Sequence, residues 1–197
     1  FVMDAALSDN GHTLAILTTG QSGGAFDTGL SLYAMTYSNG TYQPDASCSL
    51  GGGVVLDVRH TSSAVWTLSD QGLDITDHSG RSVHTDWADR YLRRYTLSGN
   101  GFALALLGKY HAGSQAELWV IDQQGQRQTL SLNEQVMSIA AAGRYFAVLT
   151  SDRLDIYTDE LTLYSTLKGT RGARTVLLMP DGYAILVSED TAGFYIP

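Results

Sequence analysis

Five stretches of this chain open alike. They are "VMDAALSDNGHTLAIL" at Val2, "VVLDVRHTSSAVWTL" at Val54, "RRYTLSGNGFALALL" at Arg93, "VMSIAAAGRYFAVLT" at Val136 and "RTVLLMPDGYAILVS" at Arg174. Repetition at a period of about 40–50 residues is the mark of an array of four-stranded β units. A unit of that size cannot bury its apolar face alone, so neighbouring copies must stack against one another.

The internal order of each repeat fixes the unit. A short alternating strand comes first, then a tight turn: Asp9-Asn10-Gly11, Thr61-Ser62-Ser63, Gly99-Asn100-Gly101, Ala142-Gly143 or Pro180-Asp181-Gly182. Such residues supply positive φ or local side-chain hydrogen bonds. The second strand is almost wholly apolar ("LAIL", "AVWTL", "ALALL", "FAVLT", "AILV"), as a strand covered on both faces should be. Third strands share a signature: "LSLYAM" at Leu30, "LDITDH" at Leu73, "LWVIDQ" at Leu118 and "LDIYTD" at Leu154. Turns follow at Ser38-Asn39-Gly40, His78-Ser79-Gly80, Gln123-Gln124-Gly125 and Asp159-Glu160. Polar fourth strands such as "RSVHTDW" and "QRQTLSL" come next, suited to an outer edge. No segment sustains a helical period between caps. The best candidate, "IAAAGRYFAVL", is interrupted by Gly143.

The pattern therefore predicts an all-β fold, a β-propeller of four-stranded antiparallel blades. Boundaries are expected at 1–46, 47–90, 91–133, 134–170 and 171–197, the last being a partial blade that stops on its third strand. The expectation is a single propeller segment of a larger ring, with a closed five-bladed ring as the alternative.

Composition removes several classes of function. Formal net charge is −8, Lys109 and Lys168 are the only lysines, and Arg90, Arg93 and Arg94 form the only tight basic cluster. Nucleic acid needs dense cations on one face, so it is not an expected partner. The single cysteine, Cys48, excludes an intrachain disulfide framework. No apolar run of about 18 residues occurs, so no helical membrane span is expected in this segment. Phe1-Val2-Met3 reads as mid-protein sequence, and a targeting segment is expected upstream.

The repeats are similar to those of WD-repeat propellers, without the glycine–histidine or Trp–Asp pairs. The third strands end instead in Thr76-Asp77 or Ile121-Asp122. "DAALSDNGHTLAIL" and "LLMPDGYAILVSEDTAGFYIP" resemble more closely the blade openings of a bacterial family of membrane-anchored β-propeller proteins of unknown function. In that family a cytoplasmic stub and one transmembrane helix precede an extracytoplasmic propeller. The resemblance spans the whole chain in pattern, and its motifs carry no chemistry. It implies a fold and a location on the extracytoplasmic side of a bacterial cell envelope.

Residues that carry chemistry are sparse. "GQSGG", Gly20 to Gly24, matches a nucleophile elbow around Ser22, but a strand rather than a helix is expected after it. His84, Asp86 and Asp89 could face a metal, yet they lie on or beside a polar outer strand. Asp70, Asp74 and Asp77 lack the glycine and glutamate of a calcium loop. Asn39-Gly40-Thr41 fits a glycosylation acceptor, but Asn-Gly is also a hairpin turn. No catalytic residue, metal site or cofactor is predicted.

Topology points elsewhere. In a propeller, loops joining second to third strands share one end of the ring with the connectors between blades. Here that class is long: "TTGQSGGAFDTG", "GKYHAGSQAE", "YQPDASCSLGGG" and "ADRYLRRY". The opposite end carries only minimal turns. Binding residues concentrate on loops held by a rigid scaffold. The long-loop end is thus the expected interaction face, with Phe26, Tyr91, Arg93, Arg94, Tyr110 and His111 as contact residues. The expected function is a non-catalytic binding or scaffold module for a protein or a cell-wall glycan. The alternative is a carbohydrate-active hydrolase or lyase, for which the first strands offer only Asp4 and Asp57 with His60.

Overall fold

The computed structural model describes residues 1–36 and 43–197. The expected Ser38-Asn39-Gly40 turn and the Asn39-Gly40-Thr41 pattern lie outside the described residues. Among those described there are nineteen strands and no helix.

Blade 1 is β1 (Val2–Leu7), β2 (Thr13–Ser22), β3 (Ala25–Ala34) and β4 (Ala46–Gly51), and blade 2 is β5 (Val55–His60), β6 (Ala64–Ser69), β7 (Gly72–Asp77) and β8 (Ser82–Asp86). Blade 3 is β9 (Tyr91–Thr96), β10 (Phe102–Gly108), β11 (Ala116–Asp122) and β12 (Arg127–Leu132). Blade 4 is β13 (Val136–Ala142), β14 (Tyr145–Thr150), β15 (Arg153–Thr158) and β16 (Leu163–Lys168). A three-stranded fifth blade holds β17 (Thr175–Leu178), β18 (Ala184–Val187) and β19 (Ala192–Tyr195). Every pairing within a blade is antiparallel and sequential, as in a β-propeller. The chain divides into two compact units, Phe1–Ala88 with blades 1 and 2, and Asp89–Pro197 with blades 3 to 5.

Three expectations from sequence need correction. The first blade does not end at 46, because Ala46–Gly51 pairs with β3 as its fourth strand. Its small, polar residues read as a connector, and the chain leaves the sheet only at Gly51, where φ is +81°. The stretch from Thr18 to Gly29 is not a loop either. Gly20 pairs with Asp27, Gln21 with Phe26 and Ser22 with Ala25, so β2 and β3 extend into a long hairpin. Gly23 and Gly24 close it at φ +60° and +87°, the two positive values that a type I′ turn requires. Finally, Tyr91, Arg93 and Arg94 lie on strand β9 rather than in a connector.

The core lies between blades. In the first unit Leu17, Leu30 and Leu32 of blade 1 pack with Val65 of blade 2. In the second unit Leu104, Leu106 and Leu118 of blade 3 meet Phe146 and Val148 of blade 4. Ala147, Leu149, Leu154 and Ile156 of blade 4 meet Val176 and Ala184 of blade 5. Each such leucine stabilises the fold by about 1.5–3 kcal/mol relative to exposure. Strands β6 and β10 are buried along their whole length, which explains their continuous apolar sequence.

The turns between first and second strands also join neighbours in the second unit. Gly99 of blade 3 bridges Gly143 of blade 4, and the Asn100 N–H donates to the Gly143 carbonyl at 2.9 Å. Gly143 has φ +56°, and a Cβ there would lie 2.7 Å from the Pro180 carbonyl oxygen of blade 5. Only glycine satisfies both conditions.

Candidate binding site

Blade 3 carries a loop held by a single arginine. Strand β9 places Arg93 beneath the segment of 109–115 that joins β10 to β11. The Arg93 guanidinium donates to the Tyr110 carbonyl from Nε and Nη2, at 2.9 and 2.7 Å. It also donates to Ala112 O at 3.0 Å and Gly113 O at 2.8 Å. One planar fork therefore holds three carbonyls of one loop. Gly108 makes this possible, since a Cβ there would fall 2.2 Å from Arg93 Nε.

The clamp sets side chains on the loop's outer side. Tyr91 and His111 lie against each other with ring centroids 3.8 Å apart and planes tilted by 39°. The Lys109 ammonium lies 5.8 Å from the centroid of the Tyr110 ring, and Tyr110 is 66% exposed. The exposed Arg94 joins His111, Glu134 and Gln135 around a concavity of about 220 Å³.

A larger concavity of about 410 Å³ opens beside the same loop. Its wall carries an ion pair, Arg90 Nη2 to Glu117 Oε1 at 2.7 Å. The other Glu117 oxygen accepts the indole N–H of Trp119 at 3.1 Å. These two hydrogen bonds, Arg90's first, hold the Glu117 carboxyl below its ordinary pKa, so it stays ionised. Sequence reading missed this group. The signal was available in "AELWVID", where Glu117 and Trp119 alternate onto one side of β11.

Of the six expected contact residues, the structure brings Tyr91, Arg93, Arg94, Tyr110 and His111 onto one loop system. Phe26 lies in the other unit, on the hairpin of β3, and is 74% exposed. The Arg93 guanidinium is engaged by the loop carbonyls and also borders the concavity of about 220 Å³.

The remaining candidates have separate roles. Ser22 precedes a two-glycine hairpin turn with a strand after it, which is not the elbow arrangement. His84 Nδ1 lies 2.9 Å from Asp74 Oδ1, and the Asp86 carboxylate accepts the Ala88 N–H. Asp70 accepts the Val54 N–H at 2.7 Å. Asp77 caps its own turn by accepting from the Ser79 hydroxyl and from the Ser79 and Arg81 N–H groups. Asp122 does the same for Gln124 and Gln126 one blade later. Asp4 and Asp57 each accept the N–H of the following residue, and His60 is buried with Nδ1 3.1 Å from Ala6 O. No group of three metal-ligating side chains occurs among the described residues.

No protein-family model and no curated sequence matches the chain. Solved structures do resemble it. One is the crystal structure of the N-terminal domain of Nup159, with TM-score 0.55 and 13% identity, covering 96% of this chain and 54% of that one. A chain from a structure of S. cerevisiae Dbp5 bound to Nup159, Gle1, IP6 and ADP gives TM-score 0.56 and 13% identity, over 96% and 55%. Apo AztD from Citrobacter koseri gives TM-score 0.54 and 15% identity, over 98% and 57%. These likenesses show the fold, that of a β-propeller. The chain spans just over half the length of the structures it matches.

Proposed function

We propose that this chain is a non-catalytic binding module that engages a protein partner through the long-loop end of blade 3. The Arg93 clamp carries the reading. A loop of seven residues, 109–115, is held by four hydrogen bonds from one guanidinium, so little ordering remains to be done on binding. The loop presents Tyr110 and His111 beside Tyr91 and Arg94 of β9, and tyrosine and arginine are among the residue types that dominate interface energetics. A similar chain comes from a structure of Dbp5 bound to Nup159 and Gle1, which fits a protein partner. The reading includes an extracytoplasmic location in a bacterial cell envelope, with an anchor outside this chain. That part rests on the resemblance of the blade openings.

A photo-crosslinking amino acid placed at Tyr110 or at Gln124, on the opposite turn end of the same blade, tests the contact surface. In cells making the full protein, a discrete crosslinked partner is expected from position 110 and not from 124. The same partner captured at 124 alone overturns the proposal. Tyr110→Ala together with His111→Ala should weaken co-purification of that partner without altering the thermal midpoint.

A further inference from the structure

The concavity of about 410 Å³ beside the clamped loop is not used by the protein contacts proposed above. We propose that it is a binding site for a neutral, polyhydroxylated ligand, a saccharide of one or two units. Its volume lies within the range of about 300–1,000 Å³ typical of small-ligand sites.

The lining holds two cations, Arg90 and Lys109, and two carboxylates, Asp89 and Glu117. Arg90 and Glu117 neutralise each other at 2.7 Å, which leaves Asp89 and Lys109 as one charge of each sign. An anionic ligand would meet Asp89, and a cationic one would meet Lys109. Neither sign is favoured.

Hydrogen-bonding capacity decides the class. Gln115, Ser131 and Asn133 also line the space, and their side chains have no hydrogen-bond partner among the described residues. Two amides and a hydroxyl offer donors and acceptors together, Asp89 only accepts, and Lys109 only donates. An apolar ligand would strip water from all five without replacing those bonds. A sugar hydroxyl is both donor and acceptor, so a ring of hydroxyls can answer every group. The partly buried Leu132 supplies apolar surface for the C–H face of such a ring. The Arg90–Glu117–Trp119 chain of hydrogen bonds fixes one wall in advance of binding.

Titration calorimetry on the full chain tests this with N,N′-diacetylchitobiose, cellobiose and maltose, and with digalacturonate as the anionic arm. At least one neutral disaccharide is expected to bind at millimolar concentration. Asn133→Ala and Gln115→Ala should each weaken it about three- to tenfold, the effect of one hydrogen bond. Ser131→Tyr, which fills the space, should abolish it. Unchanged thermal midpoints show that the variants remain folded. Binding of digalacturonate alone overturns the proposal. So does the absence of any neutral binding, or binding indifferent to Ser131→Tyr. Because the probes are free sugars, these outcomes are independent of whether Tyr110 crosslinks a protein.

Discussion

Blades 2 and 3 place different chemistry at one backbone position. The residue after the signature leucine of the third strand is Asp74 in blade 2, opposite His84, and Trp119 in blade 3, opposite Thr129. Both are buried. Asp74 is answered inside its own blade, by His84 Nδ1 at 2.9 Å. Gly72 leaves room for that imidazole, since a Cβ there would lie 2.6 Å from His84 Cε1. Trp119 is answered by partners from outside its own strand position. Arg127 lies 4.0 Å and Arg90 5.7 Å from its ring centroid, while its N–H donates to Glu117. Blade 4 follows blade 2: Asp155 takes Arg153 Nε and the Thr166 hydroxyl, both at 2.8 Å. A carboxylate at this position closes a local pair. Tryptophan instead draws Arg90 and Glu117 together at the long-loop end, where they become the wall of a cavity.

The largest expected effect breaks the comparison directly. Trp119→Ala removes the biggest buried side chain of blade 3 and should cost about 3–5 kcal/mol. Asp74→Ala removes one hydrogen bond and also a carboxylate that burial disfavours, and the half-exposed His84 returns to water. Its cost should be about 1 kcal/mol. Denaturant midpoints of the two variants decide it, and equal costs would mean the two positions are energetically alike.

A step smaller is the clamp. Gly108→Ala forces a Cβ against the Arg93 guanidinium and should cost about 1–3 kcal/mol. Arg93→Ala removes the same carbonyl partners without crowding β10. Limited proteolysis should cut both variants within 109–115 faster than the parent chain. An unchanged rate in Arg93→Ala would show that the loop holds itself.

The array was legible because turn residues and apolar runs act over a few neighbours. Asp9-Asn10-Gly11 and "LAIL" describe a hairpin whatever surrounds them. Strand β4 was not legible, because "ASCSLG" gains its identity only from pairing with β3. The Gly20–Gly24 stretch read as part of a loop for the same reason. In the site, Tyr110 and His111 were expected on the long loop between β10 and β11, whereas Tyr91, Arg93 and Arg94 read as connector residues and stand on β9. The role of Arg93 was not legible, since it depends on the empty space above Gly108, a contact across strands. Trp119 with Glu117 was hidden inside a pattern that reads simply as a third strand.

Smaller again is the cation over the blade 3 indole. Arg127 is exposed, and its loss removes the nearer of the two cations over the Trp119 ring. Arg127→Ala should cost about 0.5–1 kcal/mol, measured by denaturant midpoint. Tryptophan fluorescence should shift to the red as water reaches the ring. A cost near zero with no shift would leave the indole held by packing and Glu117, and would weaken the contrast with the Asp74 pair.

The smallest effect compares two aspartates on one strand, three residues apart. Burial pushes the Asp74 carboxyl up from its ordinary 3.8, and the His84 hydrogen bond only partly offsets this. Asp77 is exposed, and the donors of its turn, Ser79 first, bring it down to about 2. Linkage gives the two opposite signs. Asp77 contributes stability that is present above 3.8 and is lost as the pH falls through about 2. The Asp74 contribution is present below its ordinary value and is lost as the pH rises through the raised one. The midpoint difference between Asp77→Asn and the parent should therefore grow more negative with rising pH. For Asp74→Asn the difference should move the opposite way, toward a more stable variant. Salt should screen the Asp77 effect more than the Asp74 effect, since only the first group stands in water. Thermal midpoints taken from strong acid to neutrality read both slopes, and slopes of the same sign would mean that burial does not separate the two carboxylates.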